Sequence, residues 1–205
     1  MAARQAPTQT PRLATVQRET KETRIILTLN VDEAATPQVN TGLPFFDHML
    51  TAFATHGRFG LNVQAQGDIE VDPHHLVEDT GIVLGMAIKQ ALNEYKGIWR
   101  AGCFAFPMDG TLSMVAVDLC GRPNLTWQVR FGNFPVGSLD PHLFREFYKG
   151  LADGMAGTLH IHVPVQDNDH HVVESTFKGF GRALRQAVER TGTQEALSTK
   201  GSLAD

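Results

Sequence analysis

His74-His75-Leu76-Val77-Glu78-Asp79-Thr80 and, ninety-six positions further on, His170-His171-Val172-Val173-Glu174-Ser175-Thr176 are two copies of one pattern. Aligned without gaps, 74–92 and 170–188 agree at nine of nineteen positions: both histidines, Val77/Val173, Glu78/Glu174, Thr80/Thr176, Gly85/Gly181, Ala87/Ala183, Gln90/Gln186 and Ala91/Ala187. Paired imidazoles, a carboxylate and a glycine recurring at fixed offsets read as an internal duplication that carries a metal site.

Neutral imidazole and carboxylate together suit divalent Mn, Fe, Co, Ni or Zn. On a helix, His74 and Glu78 at i and i+4 lie roughly 40° apart, so one ion can bridge them, whereas His75 sits about 100° round from His74. The i, i+3 pair His75 and Glu78 is only slightly worse aligned, so spacing alone leaves the pairing open. Two repeats can resolve it by exchanging their odd histidines. One set would hold His74, Glu78 and His171, the other His170, Glu174 and His75. Each set then lacks a fourth ligand. With a two-residue gap the preceding helices align too, and His48 falls on Glu146. These two are the candidate fourth ligands.

At 205 residues the chain can build a sizeable core as one domain or two small ones. A net charge of −4 argues against nucleic acid as a main partner while permitting local basic pockets. The two cysteines, Cys103 and Cys120, form neither a framework nor a CxxC motif, which points to a reducing compartment. No apolar stretch approaches ~20 residues, and the start lacks a hydrophobic signal core. The expectation is a cytoplasmic protein with no membrane contact.

Along the chain, 1–12 reads as a disordered tail, 13–97 as the first repeat half, 98–190 as the second, and 191–205 as a C-terminal substrate-binding tail. Strands are predicted over 13–20, 22–31 and 60–66, and helices over 43–56 and 74–95. The stretch 32–41 reads as a polar loop. The second half reads as strands over 101–107, 111–119, 125–130 and 158–164 with helices over 139–150 and 170–190. The order ββαβα followed by βββαβα suggests an α+β sandwich, each half a sheet covered by helices. His160 and His162 share one strand face. Arg100, Arg122 in Cys120-Gly121-Arg122-Pro123, Lys178, and the run Ser198-Thr199-Lys200-Gly201 offer the cations and hydroxyls that a phosphate needs.

Taken together, Asp47-His48-Met49-Leu50, HHLVED, DLCGRP, DNDHHVVESTFKGFGRAL and STKG resemble the imidazoleglycerol-phosphate dehydratase family of histidine biosynthesis, from about residue 13 to 203. The resemblance implies internally duplicated ferredoxin-like (ribosomal S5 domain 2-like) halves, two manganese ions per active site, and a cubic homo-oligomer, a 24-mer, with active sites between subunits. It implies one ion on His48, His75, His170 and Glu174 and the other on His74, Glu78, Glu146 and His171. Glu22 matches the catalytic carboxylate. Glu22, His48, His56, Arg100, Arg122, Lys178, Ser198, Thr199 and Lys200 match positions that bind the phosphorylated imidazole substrate. Two departures stand out: Glu146 occupies a position that is His in some members, and Met108-Asp109-Gly110-Thr111 replaces the usual MDEAL or MDETL.

The implied reaction removes water from D-erythro-imidazoleglycerol phosphate to give imidazoleacetol phosphate. A Lewis-acidic metal would stabilise an imidazolate, and Glu22 would move the proton. The rival enzyme reading, a dinuclear metallohydrolase, needs a further Asp cluster that the sequence does not supply. The β-rich segments between the motifs exclude a ferritin-like carboxylate bundle. The non-enzyme rival is a metal-stapled structural assembly.

Overall fold

The computed structural model describes residues 11–197 except 133 and 194. The first half runs β1 (Leu13–Glu19), β2 (Thr23–Asn30), β3 (Gln38–Asn40), α1 (Pro44–Gly57), β4 (Gly60–Gly67) and α2 (His74–Leu92). The second half repeats that order as β5 (Ala101–Met108), β6 (Thr111–Asp118), β7 (Asn124–Gln128), α3 (Leu143–Met155), β8 (Thr158–Val165) and α4 (Asp169–Val188). The sheets have matching topology, β1-β2-β4-β3 and β5-β6-β8-β7, with one parallel pair in each, β3 on β4 and β7 on β8.

Two expectations change. The first half is not one strand short: Gln38–Asn40 inside the expected loop is the mate of β7. A three-residue strand with one apolar side chain has no legible alternation, and only its pairing with β4 makes it a strand. The helix expected over 139–150 spans Leu143–Met155 instead. Val136 and Leu139 bridge each other ahead of it, and Gly150 and Gly154 continue the helix rather than end it.

Alternation builds the sheets' inner faces. Ile25, Leu27 and Leu29 of β2 are fully buried while Arg24, Ile26 and Thr28 face outward. The long helix of each half covers its own sheet, α2 on β1 and β2, α4 on β5 and β6. The shorter helices cross over: α1 packs on α4 and α3 packs on α2. Glycine sets how near they come. A Cβ at Gly81 would lie 2.2 Å from the Phe147 carbonyl oxygen, and one at Gly181 would lie 2.4 Å from that of Phe53. Contacts advance together along both chains, Gly81 at Phe147 and Gly85 at Leu151 and Gly154, so α2 and α3 run parallel. The same holds for α1 and α4, where His48 meets Glu174 and Gly57 meets Gly181. Each helix pair therefore joins one repeat to the other and brings two helix N-termini to one end.

Behind these termini, Phe46, Phe53, Phe144, Phe147, Tyr148, Phe177 and Phe180 form a fully buried aromatic core. Phe147 stacks on Phe177 at 5.0 Å and Phe53 on Phe180 at 5.2 Å. At the opposite end Arg185 of α4 donates to the carbonyls of Gly57, Arg58 and Val31 at 2.7–2.9 Å, closing the C-terminus of α1. Arg12 bridges Asp32 and the Val188 carbonyl there. No helix among the described residues is long and apolar enough to cross a membrane.

Candidate metal centre

His48 in the second turn of α1 and His170 and Glu174 in the first turns of α4 converge. Their ligand atoms all lie within 4.8 Å of one another. His48 Nε2 is 3.4 Å from Glu174 Oε1, and His170 Nε2 is 3.1 Å from Glu174 Oε2. Bonds of about 2.0–2.2 Å to one ion put neighbouring donors at such separations. Glu174 is only 6% exposed. Burial pushes its carboxyl up, but the Lys178 ammonium, 2.8 Å away, and His48 outweigh that and hold it below the usual range.

The related end of α2 carries His74 and Glu78, 3.7 Å apart at i, i+4. Glu146 rises from the first turn of α3, one turn before Gly150, whose Cβ would touch the Glu78 carbonyl. It shares the end of the α2–α3 pair with His74 and Glu78. They do not close up as the first three do: among the described residues only His48, His170 and Glu174 form such a group. The Glu146 carboxylate is ion-paired with Arg145 at 2.7 Å.

Neither odd histidine joins the group of its own chain. His75 turns toward Asp68, with Nδ1 3.3 Å from one carboxylate oxygen, and toward Glu22 at 3.8 Å. The Asp68 hydrogen bond, aided by the charges of Glu22 and Asp72, raises the His75 pKa. His171 turns toward Asp167, with Nδ1 at 2.8 Å. The Thr111 hydroxyl, followed by His171 and the Asn168 amide, holds the Asp167 carboxyl far below its ordinary value. Asp68, Asp109, Asp167 and Asn168 escape a reading of the sequence for ligands. The run Asp167-Asn168-Asp169 directly before the histidines is the one signal it offers.

Glu22 sits half-exposed at the tip of the β1–β2 hairpin. Thr20 Oγ1 receives its backbone N–H at 3.1 Å. Asp79, which ends the first HHLVED, ties this hairpin to α2 by accepting from Thr23 Oγ1 at 2.5 Å and Arg18 Nε at 3.1 Å. His56 stacks edge-on against Phe106 at 5.2 Å. Burial first, then the charges of Lys178 and Arg182, lower its pKa.

The expected anion anchors divide. Arg100, at φ 69°, donates to Asp118 at 2.8 Å and to the Leu197 carbonyl at 2.5 Å. Arg122 lines a groove of about 640 Å³ with Asp118, Cys120, Thr158 and His160. The backbone N–H of Arg100 donates to the Ala187 carbonyl, nine residues from Lys178 and so about 13 Å along α4. Within one chain Lys178 therefore stands with Glu174 and His56, and Arg100 and Arg122 stand elsewhere. Ser198, Thr199 and Lys200 lie outside the described residues.

The imidazoleglycerol-phosphate dehydratase family model matches residues 41–184. An imidazoleglycerol-phosphate dehydratase of Geobacter metallireducens is 48% identical over 193 residues, covering 94% of this chain and 99% of that protein. A histidine biosynthesis bifunctional protein of Stenotrophomonas maltophilia is 48% identical over 195 residues, which are 94% of this chain and 53% of the larger protein. The crystal structure of imidazoleglycerol-phosphate dehydratase from Staphylococcus aureus superposes with a TM-score of 0.79 at 35% identity, covering 87% of this chain and 99% of that one.

Proposed function

The chain belongs to the imidazoleglycerol-phosphate dehydratase family, hydro-lyases of histidine biosynthesis, and on that premise we propose that it removes water from D-erythro-imidazoleglycerol phosphate to give imidazoleacetol phosphate at two manganese ions per active site. The observation that carries the metal reading is the convergence of His48, His170 and Glu174 within 4.8 Å while His75 is held apart by Asp68. Two imidazoles and one carboxylate suit a divalent first-row ion and leave room for another ligand. The repeat supplies a second incomplete set in His74, Glu78 and Glu146, with His171 turned away. A chain with two incomplete sets and two histidines held apart from them by Asp68 and Asp167 completes both sets by exchange with neighbouring copies. This supports active sites between the subunits of a homo-oligomer, the 24-mer that the resemblance implies.

When bound, manganese would supply Lewis acidity toward the imidazole ring and the chain hydroxyls. The protein supplies position and proton transfer. Glu22, on a hairpin tip beside His75, takes the substrate proton and returns one to the product. Lys178 stands next to Glu174 and the ring of Phe106, where an ammonium can hold the phosphate end of a substrate lying against the ligand set. Arg100 and Arg122 of a neighbouring copy complete the anion site, which accounts for their distance from Lys178 within one chain.

The test is turnover of imidazoleglycerol phosphate before and after chelation, with particle size followed by light scattering. Chelation should abolish activity and shrink the particle, and manganese should restore both. Full activity after verified metal removal would reject the catalytic ions. An inactive particle of unchanged size would reject only the link between metal and assembly.

A further inference from the structure

We propose that Asp167, clamped by the β5–β6 hairpin, is the positioning residue that sets the tautomer and direction of His171. The inference rests on the di-metal reading above. Both carboxylate oxygens of Asp167 lie within 3.0 Å of His171 Nδ1. The Asn168 amide nitrogen also lies 2.8 Å from Nδ1. The two oxygens of an ionised carboxylate, which can only accept, outweigh it, so Nδ1 carries the hydrogen and Nε2 keeps a bare lone pair. That nitrogen faces Asp109 Oδ2 at 3.6 Å, too far for a hydrogen bond, and is free to ligate. The Asn168 side chain accepts the His171 backbone N–H at 2.9 Å, so the residue is pinned at the backbone as well as at the ring.

Asp167 is itself held from two sides. Its Oδ1 accepts from Thr111 Oγ1 at 2.6 Å and from the Asn168 N–H at 2.7 Å, and its Oδ2 faces the Gly110 N–H at 3.3 Å. Thr111 Oγ1 also accepts the Asp167 N–H at 3.2 Å, so both capacities of a buried hydroxyl are spent on one partner. The hairpin that departs from the family pattern, Met108-Asp109-Gly110-Thr111, thereby anchors the acid that aims a ligand. The first repeat carries the same device in looser form. His75 Nδ1 lies 3.3–3.4 Å from Asp68, and the Asp68 N–H donates to the Glu22 carbonyl on the β1–β2 hairpin at 3.2 Å. Two unrelated local sequences that each set an acid against Nδ1 argue that orientation of the odd histidine is what the two hairpins share.

The test titrates Mn²⁺ into the full-length protein and reads free and bound ion by electron paramagnetic resonance. The wild type should hold two tight ions per chain. Thr111→Val removes the clamp hydroxyl. Asp167→Asn must keep its oxygen toward Thr111 and the Asn168 N–H, so its amide nitrogen faces Nδ1 and favours the wrong tautomer. Each should weaken one of the two ions by roughly 10–100-fold, the range for an outer partner of a ligating histidine, and leave the other alone. Thr111→Ser should restore the lost ion. Equal weakening of both ions, or of neither, overturns the inference with the metal reading intact. A wild type without tight ions overturns the metal reading first, and this inference with it. If Thr111→Val does not fold, Asp167→Asn, whose side chain is one-third exposed, decides alone.

Discussion

Lys178 Nζ lies 2.8 Å from Glu174 Oε1, one turn further along α4, and neutralises a buried carboxylate that also faces two imidazoles. The pair does two things at once. It keeps Glu174 charged at neutral pH, as metal binding would require, and places an ammonium at the rim of the candidate metal centre.

The metal-free protein should therefore lose stability as acid protonates Glu174. Its folded pKa is depressed from 4.5, so its contribution is fully present above that value and disappears as pH falls through the lower folded value. Lys178→Met leaves the buried carboxylate without its cation and should cost on the order of 1–3 kcal/mol at pH 7. That difference should shrink on acidification. Urea melts of both proteins without metal at pH 7 and pH 4 check the sign; a gap that widens in acid contradicts it.

Asp32 sets a second acid limb. Partial burial pushes its carboxyl up, but the hydrogen bonds and charge of Arg12, with help from Arg190, bring it from 3.8 down to about 2. Its stabilisation is complete above 3.8 and lost between there and about 2. Asp32→Asn should cost about 1 kcal/mol at pH 7, the scale of a well-formed exposed pair, and nothing near pH 2. Thermal midpoints across that range measure it.

Gly81 and Gly154 hold α2 and α3 at backbone contact, each with a hypothetical Cβ 2.2 Å from a carbonyl oxygen of the facing helix. Gly81→Ala should destabilise by roughly 1–3 kcal/mol through overpacking. It should also widen the gap between Glu146 and Glu78. Manganese should be lost from the set on α2 and α3 before the set on α1 and α4. Anomalous scattering at the two positions reads this directly, and equal occupancies would refute the coupling.

Glu22→Gln keeps the shape of the hairpin tip and removes the base. Metal content and particle size should survive, and kcat should fall roughly 10²–10⁴-fold, the range of a positioned acid or base, with KM affected less. A near-normal kcat with both ions present would pass the role to another group, and His56, whose lowered pKa leaves it neutral at pH 7, is next in line.

The features readable in one dimension are local or repeated. The HHxxE spacing, the matching offsets at Gly85/Gly181, the alternation in Arg24–Leu29 and the pairing of His48 with Glu146 under the repeat are all legible, because helical and strand periodicities act over a few residues. Tertiary structure decided the rest. Gln38–Asn40 is a strand only because β4 lies beside it. Gly150 ends the helix read from the sequence, yet with Gly154 it serves as the close-contact face of α3 in three dimensions. The crossing of α1 onto α4 and α3 onto α2 decides which candidate ligands share an end, and no spacing encodes that crossing. The acids that aim the odd histidines, Asp68 and Asp167, are ordinary loop residues until the β-hairpins close over them. Their role depends on distances between segments tens of residues apart, and only the packed core brings those segments together.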